Sequence, residues 1–198
     1  MFSKLFKKKK LRIPMEMQLN NLEEIGISLN SDIKINEIFN VVKRKDIENE
    51  PYIFLLIALG GEIETSDGEW ISISDDIWYF DTECIEDNGI YVEIIERLIK
   101  MSRGYLSLNN IEDCVDIDSN IAWISFNFNE KFYRWDLEVE DDWFDMALIQ
   151  KLNKILSDYE YDKKFAVSVV DQTCLIGFFN EEQLNKINIL TGLKFELV

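Results

Sequence analysis

Between Ala122 and Val139 the chain alternates with a period of two, which limits the folds open to it more than any other stretch. Ala122, Ile124, Phe126 and Phe128 take every second position, and Tyr133, Trp135, Leu137 and Val139 do the same beyond an Asn129-Glu130-Lys131 turn. Successive side chains of a strand point to opposite faces, so this pattern reads as two strands sharing one buried face. Arg134, Asp136, Glu138 and Glu140 fall on the other face of the second strand, which is then acidic and solvated. A sheet with one wet face is antiparallel, and its dry face has to be covered.

Two helical stripes supply the cover. Tyr91, Ile94, Ile95 and Leu98 fall at i, i+3, i+4 and i+7 within a helix predicted from Ile90 to Met101, with Gly104 beyond its end. Leu148, Ile149, Leu152, Ile155 and Leu156 form the second stripe, with Asp141, Asp142 and Asp145 read as acids at the positive end of that helix. Asn180 and Gln183 make a capping box for a further helix that Gly192 stops. Shorter helices are predicted over Leu22 to Leu29 and Ile35 to Val42. Another is expected from Pro51 to Gly60-Gly61, capped by Asn49 or Glu50.

The remaining strands are predicted in hairpins. Glu62 to Glu64 and Trp70 to Ile73 flank an Asp67-Gly68 turn, and Phe165 to Val170 and Thr173 to Phe179 flank Asp171-Gln172. Ile111 to Ile117 and Lys194 to Val198 read as single strands. No segment repeats at a fixed period, and no glycine- or serine-rich linker divides the chain. The expectation is one α+β domain, an antiparallel sheet with packed helices over residues 19–198, after a basic flexible tail over 1–18. The one expected place for a joint between sub-lobes is 159–164.

Charge narrows the function. The 198 residues hold 38 acids against 21 bases and no histidine, a formal charge of -17. Six of those bases, Lys4, Lys7, Lys8, Lys9, Lys10 and Arg12, lie in the first dozen residues, so the body carries -23. Glu62 to Glu96 holds twelve acids and no base. Asp136, Glu138, Glu140, Asp141, Asp142 and Asp145 form a second base-free cluster. Nucleic acids and anionic membranes are bound through cationic contacts, so this body repels both and attracts basic partners.

Catalytic chemistry has little to stand on. The absence of histidine removes the commonest general base and metal ligand together. Cys84, Cys114 and Cys174 lack zinc spacing and sit among apolar neighbours, so inert buried thiols in a reducing cytoplasm are expected. Asp116, Asp118 and Asn120 open like a calcium loop, but Ile121 stands where its glycine is required and Asn127 where its glutamate is. No phosphate-cradling glycine loop and no nucleophile elbow occurs. No catalytic residue, metal site or cofactor is assigned. A carboxylate-dependent divalent-metal hydrolase stays open as a second reading, because converging carboxylates can hold magnesium or calcium.

The N-terminal Met-Phe-Ser-Lys-Leu-Phe run followed by four lysines precedes no apolar core or cleavage site, so no secretory signal is expected. Phe2, Leu5 and Phe6 among the lysines leave weak membrane contact through residues 1–12 open.

Five tryptophans, Trp70, Trp78, Trp123, Trp135 and Trp143, read mostly as core-edge residues. Aromatic anchors ringed by acids also suit an interface with a basic protein. The candidate partner-binding set is therefore Asp75, Asp76, Trp78, Asp81, Glu83, Glu86 and Asp87, with Asp136, Glu138, Glu140, Asp141, Asp142, Trp143 and Asp145.

Leu59-Gly-Gly-Glu, Trp78-Tyr-Phe-Asp-Thr-Glu-Cys-Ile-Glu-Asp and Trp135-Asp-Leu-Glu-Val-Glu-Asp-Asp-Trp resemble a group of small acidic bacterial proteins. Their character is similar to that of immunity proteins against polymorphic toxins, and the likeness spans Pro51 to Leu156. Pro51 to Gly61 also resembles part of the SUKH immunity superfamily, with no match to the rest of that pattern. The resemblance implies a cytoplasmic binding module that occludes a basic toxin or nuclease, and it carries over no catalytic residue. A non-enzymatic housekeeping adaptor is the bland alternative.

Overall fold

The structure, a computed structural model, describes residues 12–170 and 172–198. The lysine run, with the membrane contact expected of Phe2, Leu5 and Phe6, lies outside the described residues, as does Asp171 at the last hairpin turn. The chain runs α1 (Met15–Glu23), a 3₁₀ turn (Ile35–Asn40), α2 (Arg44–Asn49), α3 (Ile53–Gly60), β1 (Glu62–Glu64), β2 (Trp70–Ser72), β3 (Ile77–Asp81) and α4 (Ile90–Met101). It continues through β4 (Asn109–Asp116), β5 (Ile121–Phe128), β6 (Lys131–Leu137), α5 (Ala147–Asp158), β7 (Lys164–Val170), β8 (Thr173–Phe179), α6 (Glu181–Thr191) and β9 (Glu196–Leu197). The fold is α+β, as expected.

All strand pairs are antiparallel, in sheets ordered β1-β2, β3-β8-β7-β9 and β4-β5-β6. The four-stranded sheet organises the molecule because both of its faces are buried. Phe80, Phe165, Val167, Cys174, Ile176 and Phe178 pack on one side with α4, α5 and the dry face of the three-stranded sheet. Ile77, Ala166, Leu175 and Phe179 pack on the other with α1, α2, α3 and α6. Burial on both faces is why β7 and β8 read as nearly unbroken apolar runs, whereas β5 and β6 alternate. The sheet thus divides the interior into two cores. Asn153 closes the connection from α5 to β7, donating from Nδ2 to the Phe165 carbonyl and accepting from the Phe165 N–H, both at 2.8 Å.

The three-stranded sheet keeps its predicted alternation, with a turn one residue shorter than expected. Asn129 and Glu130, both at positive φ, make a two-residue hairpin turn, so Lys131 opens the strand. On β6, Tyr133, Trp135 and Leu137 face inward while Phe132, Arg134 and Asp136 are exposed. Asn180 accepts from Gln183 N–H at 2.9 Å in the predicted capping box, and Gly192 ends α6 at φ 70°.

Three expectations are corrected. The first helix is Met15–Glu23 and not Leu22 to Leu29, so the ordered body starts before residue 19. Met15, Gln18 and Leu22 form its buried stripe, and the polar middle member hid it. Gln18 donates to the carbonyls of Ile13 (2.7 Å) and Ile47 (3.0 Å) and accepts from Tyr52 N–H (2.7 Å). That last bond corrects the second expectation. Asn49 closes α2 instead of capping α3, because Gln18 meets the N–H of Tyr52, which enters α3 at φ 71°. Third, Asp141 and Asp142 lie in a loop before α5, and Asp145 alone serves its start, accepting from Ala147 N–H at 2.8 Å.

Candidate functional site

The two base-free stretches meet. Beyond β3, residues 82–85 run beside residues 142–144, with Glu83 and Trp143 paired as an isolated antiparallel bridge. Ile85 N–H donates to the Asp142 carbonyl and Phe144 N–H to the Thr82 carbonyl, both at 2.8 Å. Alternation across this short pairing sends Phe144 into the core, edge-on to Phe80 at 5.0 Å, and leaves Trp143 37% exposed. The Thr82 hydroxyl donates to the Gln172 carbonyl at 2.5 Å, and Gln172 Nε2 donates to Glu83 at 2.7 Å. Three chain segments thereby hold the ridge.

Among the described residues the carboxylates on it have no counterion: no base is ion-paired with Asp81, Glu83, Glu86, Asp87, Glu140, Asp141 or Asp142. Cys84 registers their field: burial first, then the charges of Asp81, Asp142 and Glu86, push its thiol up to about 11. The upward shift of its thiol therefore has an electrostatic part, since Cys84 is only half-buried. Cys114 is half-buried too, and Cys174 alone is fully buried as expected, with its thiol pushed up to about 12 by burial.

Other members of the predicted set serve elsewhere. Asp75 pairs with Arg97 and Lys100 of α4, each at 3.0 Å. Asp76 accepts from Arg103 at 2.6 Å and from the Ser28 N–H and hydroxyl, both at 3.0 Å. Asp75 fastens the loop before β3 to α4, Asp76 ties it to Arg103 beyond that helix and to Ser28, and both are withdrawn from the candidate face. Asp145 bonds the Glu138 N–H at 3.0 Å besides starting α5. Asp136 and Glu138 are exposed along the wet side of β6 and its end, continuous in sequence with Glu140. Trp78 is half-buried beside Phe80, with ring centroids 4.4 Å apart.

Sequence reasoning did not single out Trp70, which is 65% exposed on the β1–β2 hairpin. It stands at a polar cleft with Asp75, Lys100 and Arg103. Trp123 is covered by the Arg134 guanidinium at 3.9 Å, a cross-strand stack that the alternation pattern allows but does not announce. Among the described residues, no three acidic or thiol groups are placed to hold a metal ion, and no helix is long and apolar enough to cross a membrane. No family model, curated protein or solved structure matches the chain.

Proposed function

We propose that the chain is a cytoplasmic protein-binding module, an immunity protein that neutralises a basic toxin or nuclease by covering its cationic groove. The observation that carries this reading is the Glu83–Trp143 pairing, which joins two acidic stretches into one ridge around an exposed indole. Carboxylates with no counterion among the described residues steer a cationic partner at long range, and an aromatic side chain at their centre supplies the apolar contact that holds it. The ridge rests on buried Phe144, so its backbone is positioned before binding.

Co-expression with the product of the adjacent gene tests the function. The expected result is a stable complex that dissociates as salt rises, together with rescue of growth if that product is toxic. Absence of a complex with any basic neighbour product, or a complex indifferent to salt, contradicts the proposal.

A further inference from the structure

A cleft of about 310 Å³ opens between β3 and α4, at one end of the ridge. Trp78, Phe80 and Ile94 make its apolar floor, and Glu62, Asp81 and Glu93 stand on its rim. Among the described residues none of these three carboxylates is ion-paired; Glu62 accepts from the Ser72 hydroxyl at 3.4 Å and Asp81 from the Glu83 N–H at 3.1 Å. The volume lies at the small end of ligand pockets and suits one long side chain better than a folded surface.

Arg97 also lines the cleft, with its side chain only 9% exposed. Its charge is answered elsewhere, by Asp75 at 3.0 Å and by the Ser74 carbonyl at 2.7 Å. Its Nε–H is buried and has no hydrogen-bond partner among the described residues.

We infer that this cleft receives one arginine side chain of a basic polypeptide, its aliphatic stem on the apolar floor and its guanidinium between Trp78 and the rim carboxylates. Arginine fits better than lysine because a planar, weakly hydrated guanidinium stacks on an indole and bonds carboxylates in pairs. This inference rests on the proposed function and names how the basic partner is gripped.

The test uses the full chain and a capped Ala-Arg-Ala peptide, followed through the indole N–H resonances, with Trp78 assigned from a Trp78→Phe variant. The expected result is a saturable shift of the Trp78 resonance, at least several-fold weaker with Ala-Lys-Ala and absent with the citrulline peptide. Asp81→Asn with Glu93→Gln removes the shift, and Trp143→Ala leaves it. A shift that survives the double substitution, equal response to citrulline, or no saturable shift overturns the assignment. Failure of the peptide while the whole basic partner still binds in a salt-dependent manner rejects the cleft and leaves the proposed function standing.

Discussion

Glu83 and Trp143 face each other across an isolated antiparallel bridge, and that pairing turns two separate acidic stretches into one surface. The same acids can in principle stabilise the fold or bind a partner, and the geometry separates the two roles. Asp75, Asp76 and Asp145 are consumed by internal bonds, whereas Glu83, Glu86, Asp87 and Asp142 have no counterion among the described residues.

Asp75 makes stability depend on acid. Burial raises its pKa, but the bond to Asn30 and the charges of Lys100 and Arg97 outweigh that, so its folded value is lowered. A lowered folded pKa contributes stability above the unfolded value, about 4, and loses it as pH falls through the folded one. Urea melts are expected to show Asp75→Asn less stable than the parent at pH about 7, with a smaller further loss below pH about 4. Asp76→Ala is expected to cost about 1.5–3 kcal/mol, since it strands the Ser28 donors and Arg103.

Cys84 is expected to react slowly. A thiol raised from 9 to about 11 holds about a hundredfold less thiolate at pH 8. Its alkylation by iodoacetamide, followed by mass spectrometry, should lag a free cysteine by about tenfold, because the greater nucleophilicity of a high-pKa thiolate offsets part of the lost fraction. Asp142→Asn should speed it by removing one of the charges that raise the thiol.

Asp113 holds the start of α4. Its carboxylate accepts from the Gly89 N–H at 2.7 Å, the Tyr91 N–H at 2.9 Å and the Val92 N–H at 3.3 Å, although it lies on β4. Asp113→Ala is expected to cost about 1–2 kcal/mol in chemical denaturation, the range of a lost helix cap. No loss would mean that water replaces the carboxylate at no cost.

Gly60 lets α3 lie directly on β3. A Cβ at this position would collide with the Tyr79 nitrogen and stand 2.8 Å from the Trp78 carbonyl carbon. Gly60→Ala is expected to destabilise by about 1–3 kcal/mol or more, because backbone atoms cannot swing aside as a side chain does. A thermal melt within about 2 °C of the parent would show that the helix shifts freely.

What the sequence displays are features whose partners lie nearby in the chain. The period of two in β5 and β6, the stripes of α4 and α5, and the Asn180–Gln183 capping box are all local patterns. What it conceals depends on distant partners. Gln18 looks like a surface residue until Ile13, Ile47 and Tyr52 surround it with complementary backbone groups. Asp75 and Asp76 look like free acids within a base-free stretch, yet Arg97, Lys100 and Arg103 approach from just past its end. The ridge was legible as two acidic clusters and two tryptophans. The bridge that joins the clusters was not, because two or three non-local hydrogen bonds leave no periodic signature.

The central claim is that this ridge binds a basic protein through charge around Trp143. The most direct test is calorimetric titration of the basic partner into the parent chain, a Glu86→Lys, Asp87→Lys variant and a Trp143→Ala variant, at about 50 mM and about 500 mM salt. The account predicts that the charge reversal weakens binding at least about tenfold at low salt and much less at high salt. Trp143→Ala should weaken it by a similar factor at both. Affinity unchanged in both variants, with the parent still binding tightly, would contradict it.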